Sequence, residues 1–163
     1  MPESTTISNT SPLLYLHLIK QLELLTQLYG KVYIPPAVES ELQAGAARGV
    51  NVPQVSALPW LQVMPLASTT SIPIVMDLGR GEAEVIALGL ENPHSRLILD
   101  DTLGRRIARL QQLQVTGTVG VVVKAKHAGY LPAVAPVIGA LQKAGLWLSD
   151  AVVAEVLRQA GEM

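Results

Sequence analysis

The chain has 163 residues, of which 49% are apolar and only 15% are charged, and its formal net charge is −1. A chain of this length is typical of one domain with a substantial core, so we predict a single domain over residues 1–163. The absence of cysteine excludes disulfides, thiolate catalysis and cysteine-bound zinc, and the net charge excludes nucleic-acid binding by overall basicity.

The three histidines, His17, His94 and His127, do not stand at a spacing typical of zinc ligands. A bound metal would therefore need oxygen ligands, which indicates Mg²⁺ or Mn²⁺. No apolar run reaches the roughly 20 residues of a membrane span, and the N-terminal segment lacks the features of a signal peptide. We therefore expect a cytoplasmic protein. Its mean hydropathy of +0.34 is high, so we expect the surplus apolar surface to form a homo-oligomer or partner interface.

The N-terminal segment predicts a strand followed by a helix. Thr5–Ser8 favours β structure, and Thr10 or Ser11 can cap a helix that has Pro12 in its first turn and ends at Gly30. The apolar residues of this helix recur near helical spacing: Leu14, Leu18, Leu22 and Leu25.

A second strand and helix are predicted next. Val32–Ile34 is the strand, and Pro35–Pro36 ends it and begins the helix. Val38 and Leu42 are four residues apart and face the core, whereas Glu41 lies toward the edge of that face.

The following segment predicts little regular structure. Residues 44–55 read as a loop or a frayed helix end, and Ser68–Pro73 reads as a polar loop. Between them, Trp60–Leu66 alternates weakly, and Pro65 makes it an edge strand rather than a central one.

A helix is predicted over Glu82–Leu90. Ile86 follows Glu82 by four residues, so the two share a face and the Glu82 carboxylate lies on the apolar stripe. First-turn acids also suit the helix dipole, and that explanation covers Glu82 and Glu84 alike.

The segment Leu97–Leu99 predicts a buried strand, because three successive apolar residues are typical of a parallel strand covered on both faces. The strand ends at Asp100 and Asp101, and a helix begins at Thr102. Its predicted buried stripe consists of Leu103, Ile107 and Leu110. In open α/β sheets, ligands bind outside the carboxyl ends of the strands, so the acidic pair stands where such a crevice lies. Helix capping needs only one of the two, which leaves the other for chemistry.

Four more elements follow. Gln114–Thr116 predicts a strand, and Gly117–Thr118 begins a helix that ends at Gly129. The last segments are a helix over residues 133–144 closed by Gly145, a strand at Trp147 and Leu148, and a helix capped by Ser149 and Asp150. Strands that alternate with helices predict an α/β fold with three α/β/α layers and a short, mostly parallel sheet.

Polar residues stand at the ends of these strands and the starts of these helices: Asn9, Glu41, Glu82, Asp100, Asp101 and Thr116. A doubly wound topology would bring them to one edge of the sheet, where their carboxylates repel one another unless a cation intervenes. Such acid-rich sites suit metal-assisted phosphodiester hydrolysis. The segment Gly79–Gly81 lacks the third glycine of a dinucleotide-binding motif, and no Walker A sequence occurs.

Five ordered motifs resemble those of the PIN-domain family, the nuclease fold of many toxin ribonucleases from toxin–antitoxin pairs, and within it a prokaryotic, largely uncharacterised subgroup. They are Ile7–Leu13, Ile34–Val38 with Glu41, Gly81–Leu88, Leu99–Asp101 with Arg105, and Val115–Gly120. The resemblance implies Mg²⁺- or Mn²⁺-dependent cleavage of single-stranded RNA, and it also suggests an antitoxin-like partner and a homodimer or higher homo-oligomer.

Carried over residue by residue, the resemblance gives the site residues. The catalytic acids are Glu41, Glu82, Asp100 and Asp101, and the metal ligands are these four and Asn9. Nucleic-acid contacts are expected at Thr10, Ser11, Arg105, Thr116 and Thr118.

Asn9 departs from the family pattern, which has aspartate at this position. An asparagine offers a carbonyl oxygen to a cation but brings no charge, so metal affinity is expected to fall. The alternative is therefore a catalytically weak or inactive PIN-like module that binds nucleic acid or a partner protein.

Overall fold

The computed structural model describes residues 4–163, so residues 1–3 of the predicted domain lie outside the described residues. It contains a five-stranded sheet in the order β3-β2-β1-β4-β5, in which every pairing is parallel. The strands are β1 (Thr6–Ser8), β2 (Val32–Ile34), β3 (Leu61–Val63), β4 (Arg96–Ile98) and β5 (Gln114–Thr116).

Eight α-helices of the described chain flank this sheet, and two short 3₁₀ turns, Val55–Ala57 and Thr69–Ser71, lie before and after β3. The helices are α1 (Thr10–Leu18), α2 (Glu23–Tyr29), α3 (Pro36–Ala47), α4 (Arg80–Glu91), α5 (Thr102–Leu110), α6 (Thr118–His127), α7 (Ala135–Lys143) and α8 (Asp150–Gln159). The predicted three-layer α/β fold is confirmed. Within residues 4–163, no helix has the length and apolar composition that crossing a membrane requires.

The core lies around the two central strands. Ile7 of β1 and Leu97 of β4 are fully buried, as is Leu99 directly after β4. Helix α4 packs against both strands, α3 contacts α4, and α6 contacts α1, α2 and α8. Leu97 and Ile98 are adjacent in β4 and both fully buried, so both faces of this strand are covered, which is why the apolar segment around Leu97 predicts a strand correctly.

Two predicted helices differ from the structure. The helix predicted from Pro12 to Gly30 is divided into α1 and α2, because Lys20 adopts a left-handed φ of +62° that no α-helix accommodates. On α5, Leu110 of the predicted stripe is 76% exposed, and the buried residues are Gly104 and Ala108.

Two other expectations also fail. The helix α3 continues to Ala47, so it includes the first four residues of the segment predicted as a loop or frayed end. The strand predicted at Trp147 and Leu148 is absent from the described chain, where these residues form a connection to α8 and Trp147 is 82% exposed.

Candidate active site at the carboxyl edge of the sheet

The strand order reverses at β1, since β2 lies on one side of it and β4 on the other. The ends of β1 and β4 are directly adjacent, and the backbone N–H of Asn9 donates to the carbonyl of Ile98 at 3.0 Å. This reversal is the place where open parallel sheets leave a crevice for a ligand. We call the residues around it the rim, defined as Asn9–Ser11, Glu41, Glu82, Asp100 and Thr118.

Three consecutive residues at the start of α1 each contact a different carboxylate. Asn9 Nδ2 donates to Glu82 Oε1 at 3.2 Å, Thr10 Oγ1 donates to Glu41 Oε2, and Ser11 Oγ donates to Asp100 Oδ2 at 2.9 Å. The carboxylates themselves come from α4, from α3 and from the residue after Leu99. The start of α1 therefore contacts acids that are distant in the sequence. Asp100, for example, follows Asn9 by 91 residues.

The carbonyl oxygen of Asn9 is the most unusual atom of the rim. Asn9 is 3% exposed, and its Oδ1 has no hydrogen-bond partner among the described residues. A buried acceptor without a partner costs about 1–3 kcal/mol, so such atoms are rare unless a ligand completes them. This oxygen is therefore a candidate ligand atom for a cation.

The backbone of Gly81 brings a second acid beside that oxygen. A Cβ added at Gly81 would lie 2.6 Å from Glu41 Oε1 and 3.0 Å from Asn9 Oδ1. Only glycine leaves room for both oxygens at this point, because real Cβ atoms do not approach other atoms so closely. The amide oxygen of Asn9 and the carboxylate of Glu41 thus converge on the first turn of α4.

Asp100 is held by hydrogen bonds from two helix starts. In addition to the Ser11 hydroxyl, the backbone N–H and the hydroxyl of Thr118 donate to its Oδ1 and Oδ2 at 2.8 and 2.6 Å. These contacts fix both carboxylate oxygens at the N-terminus of α6, where the helix dipole favours a negative charge. The Asp100 side chain is therefore positioned before any ligand binds.

Arg105 supplies a positive charge next to Asp100. A Cβ added at Gly117 would lie 2.5 Å from Arg105 Nη1 and 2.8 Å from Asp100 Oδ1, so both side chains lie against the same backbone atom. Burial lowers the pKa of Arg105, and the nearby charge of Arg109 lowers it further, while Asp100 acts in the opposite direction. The guanidinium is half-buried at the edge of the rim.

Asp101 occupies a different position from Asp100. Its side chain is the N-cap of α5 and accepts the backbone N–H of Gly104 at 2.7 Å. The capping role that the sequence leaves open for one of the two acids is thus filled by Asp101, and Asp100 is the member of the pair that faces the rim.

The two acids of α4, Glu82 and Glu84, differ in burial and in the groups that they contact. Glu82 is partly exposed at the rim, whereas Glu84 is 4% exposed. Glu84 accepts the backbone N–H of Ala37 at 3.0 Å and pairs with Arg80 at 3.2 Å, so it connects α4 to the start of α3. The four-residue spacing of Arg80 and Glu84 is the sequence signal for that structural role.

The side chains predicted to contact nucleic acid differ in what they contact in the structure. The hydroxyls of Thr10, Ser11 and Thr118 are all directed at carboxylates. The Thr116 hydroxyl instead lies against the backbone of Gly120 in the first turn of α6. Sequence reasoning missed two glycines of the site, Gly81 and Gly117. Their sequence signal is that they directly precede the rim residues Glu82 and Thr118.

The donor atoms fit a hard divalent cation. Among residues 4–163, no three His, Asp or Glu side chains form a group that could hold a metal. A Mg²⁺ site, however, needs only one or two carboxylates together with waters and substrate phosphates. The unpartnered Asn9 oxygen with Glu41 and Glu82 provides such a set, so the residues present fit the ion.

A cavity of about 820 Å³ lies away from the rim. It is bounded by His17, by Glu39 and Leu42 of α3, and by the segment 49–58. None of the rim residues lines it, so the chemistry of the rim does not extend into this cavity.

The fold and site define the class: a doubly wound α/β domain with acidic and amide oxygens at the point where its strand order reverses. The family model of DUF3368, a PIN domain, matches residues 5–162, so the chain belongs to this PIN-domain family. Comparison with curated proteins gives no match.

Membership of the family confirms the resemblance carried by the five sequence motifs. PIN domains generally use divalent metal ions, and they typically bind nucleic acids.

Proposed function

We propose that this PIN domain is a metal-dependent endoribonuclease that cleaves single-stranded RNA and acts as the toxin-like component of a toxin–antitoxin pair. The observation that supports the proposal best is the buried, unpartnered carbonyl of Asn9, which lies near the Glu41 carboxylate at Gly81 on a side chain whose amide nitrogen contacts Glu82. A Mg²⁺ or Mn²⁺ ion at these oxygens would stabilise charge on the phosphate and lower the pKa of a bound water.

The protein residues have separate tasks in this proposal. Asn9, Glu41 and Glu82 hold the ion, and the amide of Asn9 orients Glu82 through the 3.2 Å hydrogen bond. Asp100 is oriented by Ser11 and Thr118 to accept a proton from the attacking water. No side chain forms a covalent intermediate.

Arg105 contributes electrostatic stabilisation. Its guanidinium lies beside Asp100 and faces the same crevice, where a developing negative charge on a phosphate oxygen would be stabilised. Thr116, the last residue of the neighbouring strand β5, is proposed to contact the nucleic acid. Asp101 keeps its capping role and contributes to the acidic potential of the edge.

The second candidate is a PIN domain that binds nucleic acid or a protein but does not cut. Asn9 favours it, because the rim has an uncharged amide where the resemblance implies an aspartate. The two candidates differ in whether the wild-type protein binds Mn²⁺ and cleaves RNA.

An RNA cleavage assay with metal titration separates them. Wild-type protein is incubated with single-stranded and double-stranded RNA in Mg²⁺, in Mn²⁺ and in EDTA, and Mn²⁺ binding is measured by calorimetry. The proposal expects cleavage of single strands only, dependent on the ion. Asp100→Asn should abolish cleavage and should also lower the melting temperature, because an amide has only one acceptor oxygen for the three hydrogen bonds from Ser11 and Thr118.

Glu23→Gln is the matched control, because Glu23 is an exposed acid in the first turn of α2. It removes one negative charge and should leave cleavage and Mn²⁺ binding unchanged. An Asp100→Asn variant that cleaves as fast as wild type would contradict the proposed mechanism. Cleavage that only Asn9→Asp acquires would favour the inactive-module candidate for the natural chain.

The partner proposal depends on exposed apolar side chains. Ile74 and Met76, just before α4, are 101% and 87% exposed, and Trp147 is 82% exposed. Apolar surface of this kind favours association with an antitoxin-like protein or with further copies of the chain. The toxin-like role would be supported if a protein encoded by a neighbouring gene co-purifies with this chain and inhibits the cleavage of RNA by this chain.

A further inference from the structure

A pair of basic side chains lies outside the rim, on the side of the edge strand β5. The Arg96 guanidinium carbon and the Lys124 ammonium nitrogen lie 5.0 and 4.6 Å from the centre of the Tyr29 ring. All three residues line one small cavity of about 150 Å³, together with Gln114, Val115 and Thr116. The cavity thus combines two cations, two polar side chains and an aromatic ring.

The two positive charges are not neutralised by acids of the described chain. Among residues 4–163, neither Arg96 nor Lys124 takes part in a salt bridge. Burial lowers the pKa of Lys124, and the charge of Arg96 lowers it further. Like charges that share a partly buried cavity repel each other, so an anion between them would be stabilised by both.

The cavity lies along the same two strands as the rim, with Arg96 at the amino end of β4 and Asp100 just beyond its carboxyl end. Arg96 pairs with Gln114 in register, and Ile98 pairs with Thr116. Because side chains alternate along strands, Gln114 and Thr116 share a face with Arg96. Arg96 precedes Asp100 by four residues, a span of at most about 14 Å in an extended chain.

We infer that Arg96 and Lys124 form a phosphate-binding subsite that holds the backbone of the nucleic-acid strand at a distance from the rim. The ligand is a phosphodiester of single-stranded nucleic acid, and the inference rests on the proposed function of the rim. A cavity of about 150 Å³ exceeds the roughly 30 Å³ that a water molecule occupies, so an oxyanion and some of its waters fit. Both cations contact the Tyr29 ring, which ties their positions to the wall of the cavity.

The subsite predicts a dependence on strand length. A span of about 14 Å corresponds to no more than about four stacked nucleotides at 3.4 Å each. An oligonucleotide of about ten nucleotides therefore occupies rim and subsite together, whereas one of about three nucleotides occupies only the rim.

The test compares Arg96→Gln/Lys124→Gln with a charge-matched control, Arg48→Gln/Lys143→Gln, which changes two exposed cations elsewhere. All proteins in this comparison carry Asp100→Asn so that the strands stay intact, and binding of labelled oligoribonucleotides of both lengths is measured by fluorescence anisotropy in Mn²⁺ over a range of salt concentrations. The subsite variant should lose about tenfold in affinity for the longer strand, and its log–log salt slope should fall by about 0.7 for the lost phosphate contact. The shorter strand should bind as before.

Equal losses in the subsite variant and the control would overturn the inference, since they would reflect net charge alone. So would an unchanged affinity for the longer strand. If the double variant folds poorly, Lys124→Gln alone serves, because Lys124 is exposed and its replacement should produce a smaller loss of the same kind.

Inorganic pyrophosphate gives a readout that does not need RNA cleavage. It should raise the melting temperature of wild type and of the control but not of the subsite variant. If wild type never cleaves RNA and this difference is still seen, the subsite stands and the proposed function fails. If cleavage depends on Asp100 but the pyrophosphate effect and the length dependence are both absent, the proposed function stands and the subsite fails.

Discussion

The substitution Asn9→Asp tests whether the rim is built for a cation. Asn9 Nδ2 lies 3.2 Å from Glu82 Oε1, so the variant would place two carboxylate oxygens at that separation. Two unit charges 3.2 Å apart repel by about 1 kcal/mol at the dielectric constant of water and by about 5 kcal/mol at an effective value of 20. Without metal, the variant should therefore be less stable than wild type.

Protonation limits that penalty. Protonating a carboxyl group of ordinary pKa, near 4, costs about 4 kcal/mol at pH 7, so the net loss should lie between about 1 and 4 kcal/mol. For a domain of this size each kcal/mol lowers the melting temperature by about 2–4 °C. The assay is thermal unfolding followed by circular dichroism, in EDTA and in millimolar Mn²⁺.

Bound metal should offset part or all of this loss of stability. A cation bound between Glu82 and the new carboxylate converts repulsion into attraction, so Mn²⁺ should raise the melting temperature of the variant more than that of wild type. A tenfold gain in affinity adds about 1.4 kcal/mol of stability at saturating metal. The control is Asn51→Asp, which makes the same chemical change at an exposed residue bonded to His17. Equal stability of Asn9→Asp and wild type in EDTA, with equal shifts in Mn²⁺, would refute the reasoning.

Three further predictions concern other parts of the molecule. Gly81→Ala places a methyl group 2.6 Å from a Glu41 carboxylate oxygen and should lower Mn²⁺ affinity in calorimetry, whereas Gly139→Ala, with nothing within 4 Å, should keep that affinity and stabilise its helix by up to about 1 kcal/mol. Unchanged Mn²⁺ binding by Gly81→Ala would argue against the site. The ammonium of Lys126 and two backbone N–H groups lower the pKa of Glu162 from 4.5 to about 2. Its stabilising effect is therefore present above pH 4.5 and is lost as the pH falls toward 2, and acid unfolding of Glu162→Gln should lack that step. Finally, light scattering at micromolar concentration should show a homo-oligomer, and Ile74→Ser should weaken it, because Ile74 is fully exposed; a wild-type monomer would contradict this.

The fold was predictable where local patterns and burial agree. Leu97–Leu99 reads as a buried parallel strand because both of its faces are covered. The division between α1 and α2 was not predictable in this way, since the leucine spacing continues across it and Lys20 supplies neither glycine nor proline as a signal. Lys20 takes the left-handed position of a local turn that ends α1, in which the Gln21 N–H donates to the Leu16 carbonyl at 2.8 Å, and this position is usually occupied by glycine.

The buried face of α5 shows a second limit. A Cβ added at Gly104 would lie 3.1 Å from Leu99 Cδ2, so the helix approaches the sheet through its small residues. The helical periodicity predicts that the large apolar residues of the stripe are buried, but Leu110, one of these residues, is 76% exposed. Close approach between elements is a property of their mutual geometry, which a single helix pattern does not contain.

The candidate site was predictable as a set of residue types but not as a set of contacts. Strand ends in a parallel sheet meet at one edge, and this rule alone brings Asp100 near Asn9. Which of Asp100 and Asp101 caps α5 depends on the direction of each side chain after the strand. Likewise, the burial of Glu84 follows from the position of α3, which delivers the N–H of Ala37 to it.

The first turn of α1 explains why these acids can share one edge at all. Asn9, Thr10 and Ser11 are consecutive, and each donates a hydrogen bond to a different carboxylate. Residues at a helix start stand in a positive field from the unpaired backbone N–H groups, so this turn offsets part of the mutual repulsion of the acids. The same turn leaves Asn9 Oδ1 buried without a partner among the described residues. This turn has three side chains that each donate to a carboxylate and one acceptor left open beside Glu41, so it is organised to receive a positive charge at that point.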